Sequence, residues 1–322
     1  MHRRNLLGAA LLAAAARPAL AQPGGAQPWA PSRPVEIVAP YAAGGPTDRY
    51  AREFAARLAE LWRQSVVVSN KPGGASAIGT AAVAHAAPDG HTLLLASFGI
   101  ITNQIMLRNL PYDPKALAPL CRIALGGGIL YIHPSVPAQN LQELVAWARA
   151  NPGGLRFGSA GMGSSPHISA ELFAWRSGIE ILHTPYRGIA PAMTDLIAGH
   201  INALFDSPTS LRFAREGRVR AIAITQPARS PLAPEVPTML ESGFDVMART
   251  FYGFFAPAAV PAELRARIAA DLRSVAATEG VQRLIREDGL EPHADDPETF
   301  GRWLEEQVGF WSRVIRERNI QM

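Results

Sequence analysis

The sequence predicts an α/β fold in which mostly parallel sheets are flanked by helices. Short β-rich segments alternate with segments whose apolar residues recur at helical spacing along most of the 322 residues. Three of the predicted strands also pass directly into a helix through a glycine-containing turn, at 40–48, 70–76 and 159–167. This alternation favours parallel strands, because a helix that follows a strand carries the chain back to the edge where that strand began.

The first of these units is the most informative stretch of the chain. Residues 35–39 predict a buried strand, and the apolar spacing of 47–63 predicts a helix. Gly44 and Gly45 permit positive φ and close backbone approach, while Pro46 suits an early helical position. The N–H groups at such a helix start form a potential anion site, although an ordinary capped turn would show the same residues.

The other two units repeat this arrangement. A predicted strand at 65–68 leads through a Gly-rich turn into a helix at 76–86. A third strand at 155–158 leads into a turn where Ser164 or Ser165 is a natural N-cap. The turns at 40–48 and 70–76, two in one domain, favour the anion-site interpretation more than either turn does alone.

The remaining elements continue the alternation of strands and helices. Further strands are predicted at 92–96, 180–184, 201–205, 219–225 and 251–256, and further helices at 141–150, 190–198, 262–277, 279–287 and 297–318. The apolar stretch 117–133 contains three consecutive glycines at 126–128. It fits either a crossover from one domain to another or a single bent strand.

The first 21 residues predict a signal peptide that is removed before Gln22. Basic residues at 2–4 precede an apolar run at 6–16, and Ala19-Leu20-Ala21 is a small-x-small cleavage site. The run is too short for a stable membrane anchor. Arg3-Arg4 loosely suggests the twin-arginine export route. We therefore expect an exported protein that is not inserted in the membrane.

Charge and cysteine content exclude several classes of protein. Removal of 1–21 leaves 28 basic and 27 acidic residues, so the basic composition of the full chain does not indicate nucleic-acid binding. The single Cys121 excludes an intrachain disulfide and is expected to lie in the core. The stability of the protein must therefore come from its hydrophobic core.

Motifs for catalysis, metals and cofactors are missing from the sequence. No serine has glycine at both −2 and +2, no His/Cys/carboxylate cluster has metal-binding spacing, and no dinucleotide fingerprint is present. Ser164, His167 and Asp206 could be arranged as a triad only in an improbable geometry, since Ser and His lie three residues apart at one helix start. We predict no enzyme activity, no cofactor and no metal.

Several motifs together resemble the periplasmic solute receptors of tripartite tricarboxylate transporters, the family of the Bordetella uptake gene products. The resemblance covers nearly the whole mature chain and is strongest over 155–206. The motifs that carry it are 40–48, Asn70-Lys71-Pro72-Gly73-Gly74, Pro88-Asp89-Gly90-His91-Thr92, Leu110-Pro111-Tyr112-Asp113-Pro114, Ser159-Ala160-Gly161-Met162-Gly163-Ser164, His183-Thr184-Pro185-Tyr186-Arg187-Gly188, Phe205-Asp206 and Arg229-Ser230-Pro231.

The resemblance implies a two-lobed receptor with the type II periplasmic-binding-protein fold and a hinge between the lobes. After the signal peptide at 1–21, lobe 1 would comprise 22–124 and 251–322, and lobe 2 would comprise 125–250. The ligand, a small organic carboxylate, would lie in the cleft, and closure around it would signal to the membrane permease subunits. The receptor would be a monomer that binds no nucleic acid.

The resemblance also implies which residues contact the ligand, mainly through backbone N–H groups and small hydroxyls. These positions are Gly44, Gly45, Thr47, Asp48, Gly74, Ala75, Ser76, Ser97, Asn103, Ser159, Gly163, Ser164, His167, Tyr186 and Asp206. The chain departs from the family pattern at 96–103, where Phe98 and Ile100 would make the cleft wall more apolar, and at 207–209.

Each site residue also has a plainer interpretation. Asp48 can cap its helix, His167 can cap or pack, Tyr186 can be a core aromatic and Asp206 a local turn residue. Two other functions stay open at this point: an exported enzyme that acts on a carboxylate through His167 and Asp206, and a receptor that presents its ligand to a membrane sensor.

Overall fold

The computed structural model describes residues 30–317 and 320, so the predicted signal peptide at 1–21 lies outside the described residues. The strands are β1 (Val35–Ala39), β2 (Val66–Asn70), β3 (Thr92–Ala96), β4 (Leu117–Gly127), β5 (Ile129–Ile132), β6 (Arg156–Ser159), β7 (Leu182–Pro185), β8 (Ala203–Asp206), β9 (Arg220–Ile224), β10 (Arg249–Pro257) and β11 (Glu291–Pro292). The helices are α1 (Pro46–Trp62), α2 (Ala77–Ala84), α3 (Gly99–Met106), α4 (Leu141–Ala150), α5 (Ser165–Ser177), α6 (Ile189–Ala198), α7 (Leu211–Arg215), α8 (Ala262–Ala276), α9 (Glu279–Glu287) and α10 (Pro297–Glu317).

The strands form two separate sheets. The first sheet has six strands in the order β11-β4-β10-β3-β1-β2, and the second has five in the order β7-β6-β8-β5-β9. The prediction of mostly parallel sheets holds for β2-β1-β3 and for β7-β6-β8. It is wrong for β4, β10 and β5, which pair antiparallel with their neighbours. These are the strands that lead the chain into and out of a sheet, and they lack the helical crossover that makes neighbouring strands parallel.

The glycine-containing stretch 126–128 is where the chain passes from one sheet to the other. β4 belongs to the first sheet and β5 to the second, with Gly128 between them, so the single bent strand is wrong and the chain crosses between sheets here. A Cβ atom at Gly127 would lie 2.9 Å from backbone atoms of Thr225 and Gln226. The glycine therefore permits close approach of two backbone segments.

The return of the chain to the first sheet completes the architecture. β10 pairs with both β3 and β4, and the three helices that follow pack on the first sheet. The ring of Phe98 meets that of Trp311 in α10 at a centroid distance of 5.3 Å, and only 3% of Phe98 is exposed. The expectation that Phe98 makes the cleft wall more apolar is therefore wrong, because its ring fills the core beneath α10.

Most elements lie where the sequence predicts them, with ends that differ by one or two residues. The main element that the sequence did not predict is α3. Its run Gly-Ile-Ile-Thr-Asn has low helix propensity, so packing against α10 and the turn at Gly74–Ser76 decides its conformation. Cys121 is fully buried in the core, as expected, and burial raises the pKa of its thiol to about 12. Over residues 30–317, no helix is both long and apolar enough to cross a membrane.

Candidate functional site

The turn between β1 and α1 has a defined internal hydrogen-bond pattern. The N–H of Gly44 donates to Oδ2 of Asp48 at 3.0 Å, and Arg52 forms an ion pair with Asp48 at 3.0 Å. This guanidinium, with the Gly44 N–H, holds the pKa of the Asp48 carboxyl below its usual range. Asp48 therefore shapes its own loop; it is not the N-cap of α1, which is Gly45 with no side-chain capping bond.

The two glycines of this turn differ in backbone conformation. Gly44 has φ of +85°, which disfavours any side chain, whereas Gly45 has φ of −82°. The expectation of positive φ is thus wrong for Gly45, which is the N-cap of α1 and adopts extended backbone. Thr47, in the first helical turn, is only 5% exposed. The N–H groups of this first turn have no acceptor within the helix.

The second glycine turn contains an unusual run of left-handed backbone. Gly74, Ala75 and Ser76 have φ values of +54°, +52° and +79°, and the last two are not glycine. Such residues cost about 1 kcal/mol or more and persist only where the surroundings hold them. The holding group is Asn103 of α3, whose Nδ2 donates to the carbonyl of Ala75 at 2.8 Å and to Oγ of Ser76 at 3.2 Å.

The third glycine turn belongs to the second sheet and precedes α5. Gly163 has φ of +70°, and its N–H donates to Nδ1 of His167 at 3.1 Å. Oγ of Ser164 donates to the carbonyl of Gly161 at 2.6 Å. Oγ of Ser159 accepts from the Gly161 N–H at 3.1 Å. The hydroxyls of Ser159 and Ser164 and the N–H groups of Gly161 and Gly163 are therefore committed to contacts within this turn and the start of α5.

A second histidine, which the sequence analysis did not select, completes this turn. The rings of His167 and His183 are stacked with centroids 4.0 Å apart, and Nε2 of His183 lies 2.7 Å from Oγ of Ser159. Burial lowers the pKa of His167 to about 3 and that of His183 to about 4, so both rings are neutral at pH 7. His183 lies on β7, next to β6, and its place beside Ser159 depends on sheet register.

Tyr186 and Asp206 lie beside the third turn, at the ends of β7 and β8. The hydroxyl of Tyr186 donates to Oδ2 of Asp195 in α6 at 2.7 Å. Asp206 accepts from the N–H of Ser207 at 2.7 Å and from Oγ of Ser210 at 2.6 Å. Burial outweighs these bonds and raises the pKa of the Asp206 carboxyl to about 6.

Ser97, the remaining ligand-contact residue implied by the resemblance, lies at the end of β3 in the first sheet. Its Oγ is 3.3 Å from Oγ1 of Thr250 on the neighbouring strand β10. The hydroxyl of Tyr41 is close to Ser76 and Gly99. A Cβ atom placed on Gly99 would lie 2.4 Å from Oγ of Ser76 and 3.0 Å from the Tyr41 hydroxyl oxygen. Tyr41 and Thr250 were both missed; only their positions at strand ends could have indicated them.

Seven of the predicted residues form two hydrogen-bonded groups, one on each sheet. Ala75, Ser76 and Asn103 form the group on the first sheet, together with Tyr41. Ser159, Gly163, Ser164 and His167 form the group on the second sheet, together with His183. The two groups are connected by Thr102 of α3, whose Oγ1 donates to the carbonyl of Gly163 at 2.9 Å. Sequence analysis missed Thr102, because nothing in the local pattern indicates a contact with a residue 61 positions away.

Ser164 and His167 do not pair as the nucleophile and base of a hydrolase. Ser164 donates to Gly161, and His167 accepts from Gly163, so the serine hydroxyl and the imidazole have separate partners. Among the described residues, no group of three or more His, Cys, Asp or Glu side chains could hold a metal ion.

Comparison with known proteins supports a receptor. The model of the tripartite tricarboxylate transporter family receptor matches residues 50–320. The chain belongs to this family. Its members are periplasmic solute-binding receptors rather than enzymes. Protein BugT of Bordetella pertussis is 31% identical over 299 residues, which cover 91% of each chain.

Solved structures of relatives have the same two-sheet fold. R. palustris Rpa4515 with adipate has a TM-score of 0.82 and 31% identity, over 90% of this chain and 99% of that one. MatC (Rpa3494) from Rhodopseudomonas palustris with bound malate has a TM-score of 0.80 and 27% identity, over 88% of this chain and 99% of that one. Both are described with a small carboxylate, so the family fold accommodates such ligands.

Proposed function

We propose that the protein captures a small organic carboxylate between its two sheets and delivers it to the membrane permease subunits of a tripartite transporter. One observation carries this proposal: glycine turns from different sheets meet at a single helix, α3, through Thr102 and Asn103. Each turn lies at a helix start, where backbone N–H groups and the helix dipole favour an anion. The family and the carboxylates bound by Rpa4515 and MatC support the ligand class.

The ligand would be held by backbone donors and small hydroxyls. None of the three turns contains an arginine, so N–H groups would supply most of the compensation for the ligand charge. Thr47 and Ser76 would contribute hydroxyls, whereas the Ser164 hydroxyl already donates to Gly161 and would shape the loop. The N–H of Gly163 already donates to His167, so its contribution would be to the shape of the loop.

We further propose that the two sheets mark two lobes, 22–124 with 251–322 and 125–250, which close about the crossover at 126–128. The ligand site would comprise the fifteen residues proposed from the resemblance, some in direct contact and others, such as Asn103, holding a loop, with Tyr41 and Thr250 added at the first sheet. The receptor would act in the periplasm as a monomer after export through the signal peptide at 1–21.

A panel of carboxylates in a thermal-shift assay tests this function. Adipate and malate, the carboxylates bound by the two relatives, start the panel, with the corresponding amides as uncharged controls. A ligand at 100 times its Kd stabilises the native state by about 2.7 kcal/mol, so binding is readily detected. NMR of the recovered ligand should show it chemically unchanged. Stabilisation by no carboxylate, or turnover of one, contradicts the proposal.

Calorimetric titration of Gly45→Val then tests the contact region. The nearest heavy atom to a Cβ at Gly45 is the Ala42 carbonyl oxygen at 3.7 Å, so the valine would project into free space where the ligand is expected. Loss of one hydrogen bond to a charged acceptor should weaken binding by roughly 10- to 150-fold. Gly309→Val is the control, because a Cβ there meets nothing within 4 Å and the residue lies in α10. Equal affinity of both variants would place the ligand elsewhere.

A further inference from the structure

Two consecutive residues of α3 hold the glycine turns of both sheets. Oγ1 of Thr102 donates to the carbonyl of Gly163 at 2.9 Å, and Nδ2 of Asn103 donates to the carbonyl of Ala75 at 2.8 Å. Both side chains are fully buried, with 0% of their surface exposed. One turn of helix is thus in contact with loops that belong to different sheets.

α3 itself belongs with the first sheet. It follows β3 directly and packs against α10 and α2. The Phe98 ring at its start meets Trp311 of α10, and Asn103 fastens it to the Gly74–Ser76 turn. The bond from Thr102 to Gly163 therefore passes from the first sheet to the second, and separation of the sheets at this point would break it.

The bond also restrains the conformation of the third glycine turn. The carbonyl of Gly163 shares its peptide unit with the N–H of Ser164, and that N–H donates to the carbonyl of Gly161 at 3.2 Å. Thr102 on one side and Gly161 on the other thus prevent this peptide unit from rotating. The N–H of Gly163 is held in turn by His167. The orientation of the first turn of α5 therefore depends partly on a residue of the other sheet.

We propose that Thr102 is a positioning residue that fastens the second-sheet glycine turn to the first sheet in the closed arrangement, and that Asn103 couples this contact to the turn at Gly74–Ser76. When the lobes separate, water replaces the hydroxyl as partner of the Gly163 carbonyl. The net gain from an uncharged hydrogen bond corresponds to about a 2- to 13-fold change in an equilibrium constant. Thr102 thereby shifts the open–closed equilibrium toward the closed form even without ligand.

The first experiment measures this equilibrium in ligand-free protein, so its result does not depend on the identity of the ligand. Fluorescent labels are attached at Arg283→Cys, whose side chain is 69% exposed in α9, and at Glu216→Cys, whose side chain is 54% exposed near the second sheet. The native Cys121 is fully buried and does not compete for label. Single-molecule energy transfer then gives the ratio of closed to open molecules.

Three variants of this labelled protein separate positioning from general destabilisation. Thr102→Val keeps the shape and removes the hydroxyl, and Thr102→Ser keeps the hydroxyl. Thr278→Val is the matched control, because its Oγ1 donates to the Val275 carbonyl at 2.7 Å within the first-sheet region. We expect a 2- to 13-fold fall in the closed-to-open ratio for Thr102→Val, recovery in Thr102→Ser and no change in Thr278→Val. An unchanged ratio in Thr102→Val, or an equal fall in Thr278→Val, overturns the proposal.

A second measurement, which rests on the proposed receptor function, is the affinity of the same variants for adipate or malate, whichever stabilises the native protein. Since the ligand binds the closed form, Thr102→Val should weaken affinity by the factor by which the closed fraction of ligand-free molecules falls. If neither probe binds, the receptor proposal for these carboxylates fails while the energy-transfer result still decides the role of Thr102. If a probe binds and its affinity does not follow the closed fraction, the coupling to ligand capture is wrong.

Discussion

The imidazole rings of His167 and His183 lie stacked with their centroids 4.0 Å apart behind the glycine turn of the second sheet. Nδ1 of His167 accepts the N–H of Gly163 at 3.1 Å, which requires that this nitrogen carry no proton. Burial lowers the pKa of both rings, most strongly that of His167, to about 3. The turn is therefore shaped by a neutral histidine.

This pair predicts acid sensitivity of the fold. An unfolded His167 takes up a proton near pH 6.5, whereas the folded ring does not until about pH 3, so stability falls as pH decreases through this window. At pH 5 the loss from His167 is up to about 2 kcal/mol. Urea unfolding at pH 7 and pH 5 gives the free energy of unfolding lost between these pH values. This loss should be smaller in His167→Asn than in the wild type, and the Asn amide oxygen can still accept the Gly163 N–H. The exposed His85→Asn serves as control and should retain the full wild-type loss.

The two glycines of the first turn should differ in how much stability each substitution by alanine costs. Gly44→Ala should cost about 1 kcal/mol in the free energy of unfolding, because φ is +85° there, although a Cβ meets nothing within 4 Å. Gly45→Ala should cost almost nothing, because φ is −82° and the nearest heavy atom is 3.7 Å away. Chemical denaturation of both variants checks this. Equal losses would mean that crowding, not φ, limits this turn.

The crossover predicts a similar contrast between neighbouring glycines. A Cβ at Gly127 would lie 2.9 Å from backbone atoms of Thr225 and Gln226, whereas a Cβ at Gly128 finds its nearest heavy atom at 3.5 Å. We expect Gly127→Ala to lower the free energy of unfolding by about 1–3 kcal/mol, since the backbone must move. Gly128→Ala should be close to neutral. A neutral Gly127→Ala in urea unfolding would show that this crossing is looser than the structure indicates.

Asp206 predicts a pH dependence of ligand affinity. Burial raises the pKa of its carboxyl to about 6, so the group is mostly protonated at pH 5 and mostly ionised at pH 7. An ionised Asp206 near a bound carboxylate would repel it, so affinity should fall by up to about tenfold between these pH values. Its neighbours Ser207 and Ser210 are uncharged, and the nearest cationic influence is Arg212.

Calorimetric titration at both pH values checks this dependence with the carboxylate that stabilises the wild type. Asp206→Asn should abolish the fall in affinity between pH 5 and pH 7. Any pH dependence that comes from titration of the ligand itself should stay. Asp245→Asn, at an exposed carboxyl paired with Arg176, is the matched control and should keep the wild-type dependence. An unchanged pH profile in Asp206→Asn would show that the ligand does not approach this carboxyl.

Most of the secondary structure could be predicted from the sequence, because it follows from local patterns. The period of apolar residues identifies β1 and α1, and the run from 155 to 206 carries the motifs by which the family is identified. α3 could not be predicted in this way. Its β-branched residues disfavour a helix, and its packing against α10 overrides that preference.

The sequence identified the three glycine turns of the candidate site but not the contacts that hold them. The positions of the three glycine turns, the predicted strands around them and the family follow from residues that are neighbours in the chain. The tertiary structure alone decides that Gly45 has negative φ, that His183 stacks on His167 and that Thr102 reaches Gly163. These features depend on contacts between residues far apart in sequence, because a hydrogen bond or ring stack forms only where the folded sheets place its partners together. Local propensity carries no information about such partners, and for that reason the sequence located these loops while the packed structure determined what holds them.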